Sequence, residues 1–167
     1  MLSNLFSTGE WKSSFRQMSV TFNKNAWKLI PDSYDNHDGS LFGVYDPNDG
    51  SSFAIDVANI SDEEEYDYDW CESEYFSRLF NIDNSVKEID RFSLIIDDIN
   101  MKCVSYLFQN KKFGKQALIR GMAIGETSVI GISMAWPELL ELSNTNKVPP
   151  KHQIFIDNFE LKIDLNA

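Results

Sequence analysis

The sequence holds two histidines, His37 and His152, and neither has neighbours suited to chemistry. His37 lies in the polar run Asp35-Asn-His-Asp38, and His152 follows Pro149-Pro150, where the first turn of a helix is expected. Acid–base or metal chemistry needs a partner group held at bonding distance, and no spacing in the chain supplies one, so both read as incidental. Gly131-Ile-Ser-Met-Ala135 has an alanine where a nucleophile elbow needs its second glycine, and it sits in a strand pattern, so Ser133 reads as structural. Cys103 alternates with apolar neighbours in Met101-Lys-Cys-Val-Ser-Tyr106, the setting of a small buried hydrophobe rather than a thiolate. Asp46-Pro-Asn-Asp-Gly50 puts oxygens at alternate positions, but an EF-hand loop needs its glycine one place later and a glutamate where Val57 stands. A turn explains it. With no nucleotide-binding glycine pattern, P-loop lysine or zinc spacing, we expect no catalytic residues, no metal and no cofactor.

One segment does stand out. Asp62, Glu63, Glu64, Glu65, Asp67, Asp69, Glu72 and Glu74 surround Tyr66, Tyr68 and Trp70 within thirteen residues. Two readings stand for it. Carboxylates favour the positive end of a helix dipole, so the run can be a solvated helix start. Alternatively, aromatic rings left in water among carboxylates suit a protein interface, the rings filling gaps and the carboxylates pairing with Lys or Arg.

The overall balance agrees with the second reading. Against 15 Lys and Arg stand 26 Asp and Glu, a net charge of −11 with an isoelectric point near 4.5. Such a surface repels nucleic acid and anionic lipid and speeds encounter with a cationic partner. The N-terminus lacks a basic region followed by an apolar run, and no stretch approaches bilayer length, so a cytoplasmic protein without membrane or nucleic-acid partners is expected. Cys71 and Cys103 sit in unlike contexts and read as free thiols.

The elements that must position this segment follow from periodicity. Residues 1–18 lack a clear period and read as an N-terminal arm, with 19–167 as a single α+β binding domain. Ser19 to Asn23 reads as a strand, Trp27 to Ile30 as a short extended run, and 32–40 as a polar loop. Leu41–Asp46 and Ser51–Ile60 flank Pro47-Asn-Asp-Gly50 as a hairpin, and Phe53, Ile55 and Val57 alternate along its second strand. Ser61-Asp-Glu-Glu64 has capping-box spacing, predicting a helix that starts there or within one turn and lays Tyr75, Phe76, Leu79 and Phe80 on a sheet. Strands over 86–96, 101–109, 115–124 and 127–136, joined by short turns, predict an antiparallel meander. After Pro149-Pro150, Phe155, Phe159 and Ile163 recur every four residues, with Ile154 and Leu161 widening the stripe, predicting a closing helix. The fold class is therefore α+β, a mostly antiparallel sheet of about six or seven strands flanked by helices.

Several short segments are similar to the PsbP-like fold, which includes DcrB-type bacterial proteins and the Eag chaperones of type VI secretion effectors. Trp27-Lys-Leu-Ile-Pro31 resembles the early Trp/Pro segment, and Asp46-Pro-Asn-Asp-Gly-Ser-Ser-Phe53 resembles the first hairpin. Ile99-Asn-Met-Lys-Cys-Val-Ser-Tyr106 resembles the strand entry after the central helix, and Phe159-Glu-Leu-Lys-Ile163 resembles the closing helix. Met101 stands where that family usually has a small residue, and the acidic run before the central helix is longer than in the family. The resemblance implies a PsbP-like sandwich that presents its sheet, edges or helices to proteins, lipids or hydrophobic segments, with no shared catalytic residues.

Acidity, small size and the acidic–aromatic run together lead to a non-enzymatic protein-binding domain. The leading expectation is an immunity protein that occludes a cognate basic toxin domain through 62–74. The alternatives are an Eag-type chaperone for a secreted effector and, in another class, an enzyme using carboxylates gathered by the fold.

Overall fold

The structure is a computed structural model that describes residues 8–60, 66–138 and 147–165. In chain order the strands are β1 (Thr8–Lys12), β2 (Met18–Asn23), β3 (Lys28–Leu29), β4 (Tyr34–Asp35), β5 (Gly39–Tyr45) and β6 (Ser52–Asn59). Helix α1 (Tyr68–Ile82) follows, then β7 (Lys87–Ile96), β8 (Ile99–Asn110), β9 (Gly114–Ile124) and β10 (Ser128–Pro137). Helix α2 (Pro150–Asn158) and β11 (Glu160–Leu161) close the described chain.

An antiparallel sheet of eight strands runs β3-β5-β6-β10-β9-β8-β7, with β4 also paired to β5. A second sheet runs β1-β2-β11. The α+β arrangement is the one expected: β3 falls within the extended run read over 27–30, and the two-residue strands β4 and β11 and the strand β1 are added to it. They escape a periodicity reading because two residues hold no period and because Thr8–Lys12 mixes charge with Gly9 and Trp11.

Residues 8–18, within the N-terminal arm, lie against the body. β1 pairs with β2 in register from Thr8↔Asn23 to Lys12↔Ser19, and Ser13 and Arg16 tie the following loop to Asp35, Asn36 and Ser40. At Asp97-Asp98 both residues have positive φ, 46° and 69°, the shape of a two-residue hairpin turn of the primed type. The Asp97 carboxylate accepts from Leu161 N at 2.7 Å and Lys162 Nζ at 3.0 Å, fastening the small sheet to that turn.

Alternation along the strands divides the large sheet into two faces. Phe53, Ile55 and Val57 are buried on the first face, as their spacing predicts, with Phe42, Ile130, Ile132 and Met134 beside them. The small sheet and α2 cover this face; Phe155 stacks on Phe53 at 4.9 Å and meets Trp27 edge-on at 5.2 Å. Pro150 occupies the first turn of α2, where its missing N–H costs nothing. The closing helix is shorter than its period of four predicts. It ends at Asn158, Phe159 caps it in extended geometry and Leu161 belongs to β11, so the same spacing carries buried residues across a helix–strand junction. Ile154 does not widen the buried stripe, being 56% exposed.

The 46–51 turn is built as a turn. Asp46 and Asp49 accept backbone N–H bonds from Asn48 and Ser51, Gly50 takes φ +78° against the Phe113 ring, and Lys151 Nζ pairs with both carboxylates at 3.3 and 2.9 Å. Those oxygens are therefore committed to the fold.

Candidate functional site

Helix α1 covers the second face. It starts later than the capping-box spacing predicts: Asp67 is the N-cap, its carboxylate accepting from Asp69 N at 2.7 Å and Trp70 N at 3.3 Å. Ser61, Asp62, Glu63, Glu64 and Glu65 lie outside the described residues. Of the predicted stripe, Leu79 is buried, Tyr75 and Phe76 are half-buried against Tyr106, and Phe80 is 49% exposed and turned from the sheet.

The structure gives the rest of the acidic–aromatic segment separate places. Tyr68 anchors the helix start: its hydroxyl accepts from Ile124 N at 2.9 Å, and Lys102 Nζ stands 4.2 Å from its ring centre. Glu72 bonds Arg91 of β7 at 2.6 Å, and Arg91 also holds Glu88. Asp69 and Glu74 are exposed and make no ion pair among the described residues. Trp70 is 59% exposed. Asp69, Glu72 and Glu88 line a groove of about 650 Å³ between α1 and the edge strand β7, floored by Phe76 and Tyr106.

On the other flank of α1, Tyr66, Trp70 and Glu74 meet sheet residues at a cavity of about 200 Å³. Its inner wall holds an ion pair that periodicity did not bring together. Asp56 on β6 and Arg120 on β9 point to the same face across the central strand β10, where Asp56 pairs with Gly131 and Arg120 with Ser133. Asp56 Oδ1 and the Arg120 guanidinium are 3.5 Å apart. Gly131 is what allows this: a Cβ there would stand 2.7 Å from Asp56 Oδ1 and 2.8 Å from the Arg120 terminal nitrogens. Burial raises the Asp56 carboxyl above its ordinary range, and the Arg120 charge opposes it. The side chain of Asp56 is 32% accessible although protein crowds it, since the cavity opens beside it.

Tyr75 packs over the same pair, 5.4 Å from the Arg120 guanidinium. Burial raises its hydroxyl, and Ser133 opposes that rise. Burial raises the Cys71 thiol and pushes Cys103 up to about 12, so neither is a thiolate at neutral pH. His152 is fully buried, its Nε2 donating to Ser52 O and Ala135 O at 3.0 Å each, and burial pulls it down to about 4. His37 is an exposed loop residue with Phe15 against its ring. No group of three or more metal-ligand side chains occurs among the described residues.

No family model and no curated protein sequence matches the chain. Solved structures do. The solution structure of cyanobacterial PsbP (CyanoP) from Synechocystis sp. PCC 6803 superposes with a TM-score of 0.53 at 8% identity, over 79% of this chain and 81% of that one. The fold is PsbP-like. A crystal structure from Bacteroides thetaiotaomicron gives a TM-score of 0.50 at 11% identity over 93% of this chain, which spans 48% of that one. The PsbP-like likeness fits the order of hairpin, helix and meander that the sequence segments suggested. No helix among the described residues is long and apolar enough to cross a membrane.

Proposed function

We propose that this PsbP-like domain binds a cationic protein segment along α1, and that the partner is a toxin domain which it occludes. One observation carries the reading: Trp70 stands 59% exposed on α1 beside Asp69 and Glu74, carboxylates without an ion pair among the described residues. An exposed indole between free carboxylates offers a cation both a ring face and opposite charge. The net charge of −11 adds long-range attraction that speeds the encounter. The same face would exclude nucleic acid.

The test is co-purification with the product of the adjacent gene at low and high salt. Trp70→Ala should weaken binding about 10- to 100-fold, and Asp69→Asn/Glu74→Gln should flatten its salt dependence. Unchanged affinity in both variants would remove α1 from the interface.

A second reading has its own observation. An apolar pocket of about 340 Å³ lies beside β7, lined by Ile89, Phe92, Leu107 and Trp136, and Ile89 and Ile95 are 56% and 65% exposed. That surface suits an Eag-type chaperone shielding apolar effector segments. Preference for an apolar peptide, insensitive to salt, would favour it.

A further inference from the structure

The cavity under α1 has features that a cationic partner does not use. Its inner wall is a charge pair in poor contact. Charge-assisted N–H···O bonds run at about 2.7–2.9 Å, yet Asp56 Oδ1 and Arg120 stand 3.5 Å apart, and Arg120 reaches Ile132 O only at 3.4 Å. A guanidinium carries five N–H donors, and these are its hydrogen-bonding contacts among the described residues. Both heads border the open space, where Tyr66, Trp70, Tyr75 and Met122 supply apolar walls.

We propose that this cavity binds a neutral group presenting an acceptor beside a donor, a primary carboxamide, its oxygen taken by Arg120 and its N–H₂ by Asp56. The pair is already neutral, and the rim carries one charge of each sign, Glu74 and Arg78. A further ion would bring uncompensated charge into a recess where screening is weak. An amide instead completes the unfilled hydrogen-bonding positions of both heads without adding charge. Space is adequate: an apolar cavity of about 150 Å³ accepts benzene, and this one offers about 200 Å³. Gly131 lets the pair lie close over the strand, in a central-strand position where glycine otherwise weakens a sheet.

The experiment titrates the full chain with benzamide, benzoate and benzamidine, following amide resonances of 56, 75, 120 and 131. Benzamide should give saturable shifts there, with the anion and the cation about tenfold weaker or worse. Gly131→Ala should abolish the shifts, because its methyl drives both heads into the cavity. The atoms it meets are ends of flexible side chains, so the fold should persist; Ala58→Leu, which fills the recess from β6, is the second blocking variant. Capped tripeptides with central Gln, Glu or Lys separate the sources. Preference for Gln identifies a partner side chain, and response to benzamide alone identifies a free small molecule; either supports the site. Equal binding of benzoate or benzamidine, no shifts at the cavity, or full benzamide binding by both blocking variants overturns it. A neutral ligand is indifferent to salt, so this test stands or falls apart from the salt-dependent partner contact.

Discussion

The two faces of the large sheet share the same strands and do opposite work. On the first, Phe42, Phe53, Phe155 and Phe159 interlock with Trp27, and the small sheet and α2 close over them. On the second, Ala54, Ala58, Gly131 and Ser133 leave room, the covering is α1 alone, and only Leu79 of that helix is buried. Strand alternation lets one residue serve packing while its neighbour serves a polar site. Stability is concentrated on the first face, and the second is free to hold an imperfect ion pair and a cavity.

The sharpest test of that contrast is Phe155→Ala, expected to cost about 4 kcal/mol in denaturant unfolding, whereas Leu79→Ala under α1 should cost about 2 kcal/mol. Equal losses would break the contrast. Next is acid. His152 titrates near 6.5 when unfolded and about 4 when folded, so its contribution is complete above pH 6.5 and is lost as pH falls toward 4. The loss should reach about 3 kcal/mol, and His152→Gln should flatten it in stability-versus-pH curves. Third, Arg120→Met leaves Asp56 unpaired and should cost about 2 kcal/mol at neutral pH, less than for a fully enclosed pair because the cavity admits water. The sign for Asp56 is opposite to that of His152. Its folded carboxyl sits above the unfolded value, so the unfolded chain ionises first and stability falls as pH rises through that window. Asp56→Asn should therefore gain on the native protein as pH rises. The smallest effect expected is Trp70→Ala, within about 0.5 kcal/mol in stability, so its effect on partner binding can be read separately.

The first face was legible in the sequence because its signal is local. Phe53, Ile55 and Val57 alternate, Pro150 marks a helix start, and the short turns of the meander dictate antiparallel neighbours. Met101, set against a usually small residue, is fully buried in that core. What local pattern misleads is where elements stop: a period of four ran on through Phe159 and Ile163, although the helix had ended at Asn158. The Asp56–Arg120 pair was not legible, since sixty-odd residues separate its members and only the β6-β10-β9 order brings them together. Its one sequence sign was Gly131 inside a strand pattern, a residue that marks close approach of other atoms. The acidic segment was visible, but burial, not composition, divides it into the cap Asp67, the anchor Tyr68, the bridge Glu72 and the exposed Asp69, Trp70 and Glu74.

The strand order has a consequence for synthesis. β10 lies between β6 and β9, bonded along Ile55↔Ile132 on one side and Ile132↔Gly121 on the other. As the chain leaves the ribosome, the β5–β6 hairpin and the β7–β9 meander can each form, but no strand pairing joins them until β10 emerges. Up to that moment the nascent protein has two separate half-sheets, each with an open edge, and the late strand closes both at once.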